Sequence, residues 1–152
     1  ARSIVTVRRR PAARLAPAIA PGLADVGAFL AYSPLHVRLL AACGGPLVAT
    51  SGNVSGEPVL TDAGEARARL AAVADAFLHH ERPIRRPADD AVRRVVAGRV
   101  RSVRLGRGDA PLELRLPWPV PEPCLALGGE AKATVALAFG DRVIVSPHVG
   151  TV

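Results

Sequence analysis

The chain reads as an α/β protein built on a mixed sheet. Short runs of β-branched and apolar residues alternate with capped helical patterns along most of its length. Two Val/Arg-rich runs flank an Ala-Gly step at positions 97–98, the pattern of an antiparallel hairpin closed by a tight turn. Apolar residues fill 49% of the 152 positions but aromatics only 3%, so any core must be assembled from Ala, Val, Leu and Ile.

The first strand is expected over Ser3 to Val7, where side chains alternate. Arg8 to Pro21 is an Ala-rich stretch interrupted by prolines, with room for a short helix, and Val26 to Tyr32 reads as a second strand. Ser33-Pro34 fits a helix start, with Ser as the cap and Pro at the first helical position. Leu35, Leu39 and Leu40 then share one face, and Gly44-Gly45 ends the helix. Pro46 to Ala49 is expected as a short buried strand.

That strand runs into Thr50-Ser51-Gly52-Asn53-Val54-Ser55-Gly56-Glu57-Pro58, the most informative stretch of the chain. Its glycines let the backbone turn tightly, and its hydroxyls and amide offer donors and acceptors without net charge. A polar loop at the end of an apolar strand is where open α/β sheets take small ligands. An ordinary turn before a helix is the competing reading.

Thr61 or Asp62 caps the next helix, with Glu65 placed for a capping box and Leu70 and Val73 as its buried side. Ala76 to His79 is expected as a short strand. The hairpin follows, Val92 to Val96 and Arg99 to Leu105. Alternation puts Arg93 and Val95 on one face and Arg94 and Val96 on the other, so the arginines at 85, 86, 93, 94, 99, 101, 104 and 107 do not all share one pocket. Pro111 to Pro123 holds five prolines in 13 residues and reads as an extended linker. Beyond it, Cys124 to Leu127, Ala133 to Phe139 and Arg142 to Val145 are expected as a three-stranded meander, too small to bury a core by itself.

The formal charge is +7, and 19 of the 20 basic residues are Arg, Lys132 being the exception. With abundant Ala, Gly and Pro, this skew matches the coding bias of a GC-rich genome. The charge admits a nucleic-acid partner, but few aromatic rings are present to stack on bases. Cys43 and Cys124 lack CxxC spacing, so two buried free thiols in a reducing cytoplasm are expected. No apolar run reaches the ~20 residues of a membrane span, so no membrane partner is expected. The chain starts at Ala1 and contains no Met, and so reads as a segment of a longer protein. His36, His79 and His80 have no second ligand at metal spacing and are expected to be structural; no metal site is expected in this stretch. His148 is expected to be a loop-end residue, and Asp89 and Asp90 to serve equally as turn or site residues.

Several motifs in order carry a resemblance. They are Tyr32-Ser33-Pro34-Leu35-His36, the 50–58 loop, Arg82-Pro83-Ile84, Asp89-Asp90, Arg107-Gly108, Leu127-Gly128-Gly129-Glu130 with Lys132 and Thr134, and Ser146-Pro147-His148-Val149-Gly150. Together they resemble the HypF family of carbamoyltransferases of hydrogenase maturation. The resemblance implies the later part of a YrdC-like domain with a twisted mixed sheet over residues 1–110, a linker over 111–123, and the start of an actin/sugar-kinase-like domain over 124–152. It implies ATP, with Mg²⁺, and carbamoyl phosphate as substrates, joined as a carbamoyl-adenylate. The carbamoyl group would pass to the C-terminal cysteine of a partner protein.

Thr50, Ser51, Asn53, Arg104 and Arg107 would then bind nucleotide and acyl group, and Gly128, Gly129, Lys132 and Thr134 would form a phosphate loop. Zinc and a second-domain metal belong to other regions of the family. The segment alone is expected to be inactive, and no residue in it is assigned as catalytic. Departures from the family pattern are Pro87 for an Arg, Ala91 for a Ser, Asp109 for a Tyr and Thr151 for an Asp, with Arg85 or Arg86 as substitutes for the missing Arg. Two other readings share the first fold: a threonylcarbamoyl-AMP synthase of tRNA modification and a double-stranded RNA-binding module.

Overall fold

The computed structural model describes residues 3–85, 87–129 and 133–148. Strand β1 (Ile4–Arg8) pairs antiparallel with β2 (Asp25–Ala28) and parallel with β3 (Val92–Val96), which pairs antiparallel with β4 (Arg99–Arg104). The order is β2-β1-β3-β4, a mixed sheet as the sequence predicts. A parallel pair needs a long crossover. Here the connection between β2 and β3 carries helices α1 (Pro34–Cys43) and α2 (Ala63–Leu70).

Local chemistry sets these boundaries. The Ser33 hydroxyl accepts from the His36 N–H at 3.2 Å, and Pro34 opens α1. Gly44, at φ +72°, closes it by donating to the Leu40 carbonyl at 3.0 Å. The Asp62 carboxylate caps α2 by accepting from the Glu65 N–H at 2.8 Å. Ala97 and Gly98, at φ +50° and +73°, form the hairpin turn between β3 and β4. The Ala-rich stretch supplies only a 3₁₀ turn, Pro17–Ile19.

A second sheet is a two-stranded antiparallel ribbon of β5 (Leu112–Leu127) and β6 (Val135–Val145). The 111–123 stretch is therefore largely strand rather than free linker. Its prolines cannot donate to a ladder, so between Arg115 and Cys124 pairing thins to Val120 opposite Gly140, with register shifts on either side. The expected turn at Gly140-Asp141 is a bend within β6, Gly140 taking φ +53°, so two strands stand where a three-strand meander was expected.

Other expectations fail for one shared reason: apolar faces lack cover. The accessible surface is 12095 Å², against about 7,300 Å² for a compact monomer of this mass. Pro46 to Ala49 and Ala76 to His79 are not strands, because neither has a neighbouring strand to pair with among the described residues. Leu35, Leu39 and Val73 are exposed. Cys43, at the end of α1, and Cys124, on the ribbon, are exposed free thiols rather than buried ones. The enclosed side chains gather where β1, the 89–91 segment and the end of β4 meet: Ser3, Ala91 and Leu105, with Ala20 buried separately. No described helix is long and apolar enough to cross a membrane.

Candidate functional site

The end of β4 and the turn after it are tied to the 88–91 segment by several hydrogen bonds. Arg104 Nε donates to the Asp90 carbonyl at 2.8 Å, and the Arg107 N–H donates to the Asp89 carbonyl at 2.8 Å. Arg107 Nη2 reaches the Ala88 carbonyl at 3.0 Å. Between the two arginines, Gly106 packs against the 89–91 backbone. Ala91, fully enclosed, accepts from the Ile4 N–H at 2.8 Å and so ties this segment to β1. A serine there would bury a hydroxyl that alanine does not have.

The charges pair loosely. Arg104 Nη1 stands 3.6 Å from Asp89 Oδ2, and Arg107 Nε stands 3.8 Å from Asp90 Oδ1. Tyr32 Oη donates to Asp90 Oδ1 at 3.4 Å, bringing the loop before α1 to the same acidic pair. Tyr32 meets the His36 ring edge-on at 4.8 Å between centroids, and Phe29 lies 6.1 Å from both rings. His36 Nδ1 is buried there with no hydrogen-bond partner.

From β3, Arg93 grips Asp109 through two nitrogens, the Nε–Oδ2 bond being 2.8 Å. That bond raises the Arg93 pKa above its ordinary value, outweighing the lowering effect of burial. Asp109 stands where the resemblance implies a Tyr. Here it fixes the turn beside an open hollow of about 440 Å³ lined in part by Arg93, Ser102, Leu105 and Asp109.

The 50–58 loop is self-contained. Asn53 Nδ2 donates to the Val54 and Glu57 carbonyls, both at 2.9 Å, and the Leu60 N–H closes the loop on the Gly52 carbonyl at 3.0 Å. Arg69 of α2 braces it through an ion pair with Glu57, and pairs with Glu65 on its own helix. Thr50 and Ser51 stay exposed, while Asn53 Oδ1 is a buried acceptor with no partner. An orphaned acceptor of this kind fits a ligand donor such as a ribose hydroxyl or an exocyclic amine.

The structure thus brings Arg104 and Arg107 together and places Asp89 and Asp90 with them. Asn53 spends both amide hydrogens inside its own loop. In the second unit, the Gly128 N–H donates to the Thr134 carbonyl at 2.9 Å, and a Cβ on Gly128 would meet Ala133 Cβ at 2.8 Å, so this turn needs glycine. Gly129 has open space around it. Lys132, Arg86 and Thr151 lie outside the described residues. Among the described residues no three His, Cys, Asp or Glu side chains gather as a metal cluster. The role of His148 was missed. Its partner is the backbone of Leu105, 43 positions away, which no local motif signals.

Comparison with known proteins decides the family. The Sua5/YciO/YrdC model, described as telomere recombination, matches residues 1–106, and the HypF Kae1-like domain matches residues 119–152. The chain belongs to the Sua5/YciO/YrdC family, in its HypF branch. It is 45% identical to a carbamoyltransferase HypF of Synechocystis sp. over 147 residues, 97% of this chain and 19% of that protein. It is 44% identical to the Rhodobacter capsulatus carbamoyltransferase HypF over 134 residues, 87% of this chain and 18% of that protein. A full-length HypF solved in a phosphate- and nucleotide-bound form superposes with a TM-score of 0.86 at 38% identity, covering 99% of this chain and 24% of that one. HypF of T. kodakarensis gives 0.85 at 36% identity, covering 99% and 20%. The chain spans about a fifth of the length of the curated relatives it matches. It is a HypF-type segment that runs from the YrdC-like domain into the domain after it.

Proposed function

We propose that this segment supplies part of the adenylate-forming site of an ATP-dependent carbamoyltransferase. In this reading, water cleaves carbamoyl phosphate to carbamate and inorganic phosphate, and a carbamate oxygen then attacks the α-phosphorus of ATP. Pyrophosphate leaves, and a carbamoyl-adenylate forms. A cysteine thiol at the C-terminus of a partner protein then attacks the carbamoyl carbon and AMP departs.

Arg104 and Arg107 neutralise phosphate oxygens, a task for which planar, multiply donating guanidinium groups are suited. Asn53, with Ser51 and Thr50, orients the nucleoside or acyl end through neutral hydrogen bonds. Gly128, Gly129, Lys132 and Thr134 form the phosphate-facing loop of the following domain. Mg²⁺ would accompany the ATP as its counter-ion. The buried orphan acceptor on Asn53 and the two arginines fit the nucleotide itself.

The observation that carries this reading is the spacing of the arginines from Asp89 and Asp90. At 3.6 and 3.8 Å the guanidinium groups are held in place by carbonyls but not saturated by carboxylates. Arg107 also keeps half its side chain exposed. A cation positioned by backbone and only weakly neutralised is ready for a phosphate.

The test is pyrophosphate release from ATP by this segment within a chain of its relatives' length. Carbamoyl phosphate is offered in one arm, and threonine with bicarbonate in the other. Release with carbamoyl phosphate alone supports the proposal. Release only with threonine replaces it with the tRNA-modification reading.

A further inference from the structure

One residue of the second unit closes on the arginine turn of the first. The His148 N–H donates to the Leu105 carbonyl at 2.8 Å, and the Leu105 N–H donates to His148 Nδ1 at 2.8 Å. Both backbone groups of the buried residue between Arg104 and Arg107 are therefore taken by a single histidine. Nδ1 also stands 3.2 Å from the Leu105 carbonyl oxygen, so this ring nitrogen faces both backbone groups of Leu105.

His148 is itself anchored. Two residues earlier, the Ser146 N–H donates to the Val135 carbonyl at 2.8 Å, and the Val135 N–H returns to Ser146 Oγ at 2.9 Å. Val135 follows Thr134, whose carbonyl receives the Gly128 N–H at 2.9 Å. Hydrogen bonds and a few covalent steps thus lead from Gly128 and Thr134 to Leu105, and from there to the carbonyls of Asp89 and Asp90.

We infer that His148 is a positioning residue that holds the Arg104–Arg107 turn against the second unit, so that the arginines keep a fixed relation to Gly128 and Thr134. Its geometry is independent of the ligand. Its consequence for binding rests on the reading of Arg104 and Arg107 as nucleotide ligands. Without the clamp, the Leu105 amide loses its His148 partner, and the arginine turn keeps its ties to the 88–91 segment and, through Asp109, to Arg93.

The test compares His148→Ala, His148→Asn and His148→Gln. Asn carries its carbonyl oxygen the same number of bonds from the backbone as Nδ1, so it restores the acceptor; Gln places its own one bond farther out. Site-resolved amide hydrogen exchange at Leu105 and Arg107 is read beside the Arg94 and Arg101 amides of the β3–β4 hairpin, which face each other across it. AMP affinity is measured in parallel.

In His148→Ala, Leu105 and Arg107 should exchange at least about fivefold faster, the equilibrium worth of one hydrogen bond, with the hairpin amides unchanged. His148→Asn should restore protection, and AMP affinity should follow the same order. Should the alanine variant also lose hairpin protection, the Asn and Gln variants decide, Asn protecting and Gln not. Unchanged exchange at Leu105 in His148→Ala, or equal behaviour of Asn and Gln, overturns the inference. Faster exchange with AMP affinity unaltered supports the positioning role and overturns the nucleotide reading of the arginines instead.

Discussion

A Cβ added to Gly106 would lie 2.5 Å from the Asp89 carbonyl oxygen and 2.6 Å from the Ala91 N–H. Neither neighbour is a flexible side-chain end; both belong to the backbone that Arg104 and Arg107 hold. Gly106→Ala should therefore destabilise the chain by about 1–3 kcal/mol, as overpacking at a rigid site does. Gly45, with open space around it and no positive φ, is the control, and Gly45→Ala should have little effect on the core. Denaturant midpoints check this, and equal midpoints for Gly106→Ala and the parent would show that the close approach does not exist.

Ala97 carries the opposite kind of strain. It sits at φ +50° in the first position of the hairpin turn, a conformation that costs a Cβ-bearing residue about 1–2 kcal/mol. Asn tolerates that region far better. Ala97→Asn should raise the thermal midpoint by an amount matching about 0.5–1 kcal/mol. A lower midpoint would mean that the turn has a different geometry.

At the start of α2, Asp62→Ala removes the acceptor of the Glu65 N–H. The expected loss is about 1 kcal/mol of local helix stability. Faster amide exchange across Ala63–Leu70, with the sheet unaffected, is the measurable sign.

These particular residues also show what the sequence made legible. Helix starts at Ser33 and Asp62, the stop at Gly44 and the Ala97-Gly98 turn follow from chemistry within four residues, and all stand where expected. Pro46 to Ala49 and Ala76 to His79 read as strands because they are apolar, yet strand formation needs a neighbour that the local pattern does not supply. The prolines of 111–123 suggested a linker. A ribbon absorbs them because a strand in a two-stranded sheet has one edge that needs no donor. Arg104 and Arg107 are candidates that the resemblance singles out. Their tie to Asp89 and Asp90, and the His148–Leu105 clamp, join positions 14 to 43 apart and carry no local signature.

Arg107 tests the phosphate role more cleanly than Arg104, because its side chain is about half exposed and its bond to the Ala88 carbonyl is an exposed one, while Arg104 holds the Asp90 carbonyl through a part-buried bond. Arg107→Gln should weaken AMP binding by about tenfold or more, the worth of a charge-assisted hydrogen bond, while leaving the thermal midpoint close to that of the parent. Isothermal titration of both proteins measures it, and equal affinities would remove Arg107 from the site.

The central claim is that the Asn53 loop and the Arg104–Arg107 turn serve one nucleotide. The most direct measurement is an NMR titration of the chain with a non-hydrolysable ATP analogue, following the Asn53 side-chain amide together with the Arg104 and Arg107 Nε–H signals. The account predicts that all three shift along curves with a single Kd. Shifts at the arginines with Asn53 unmoved, or the reverse, would contradict it.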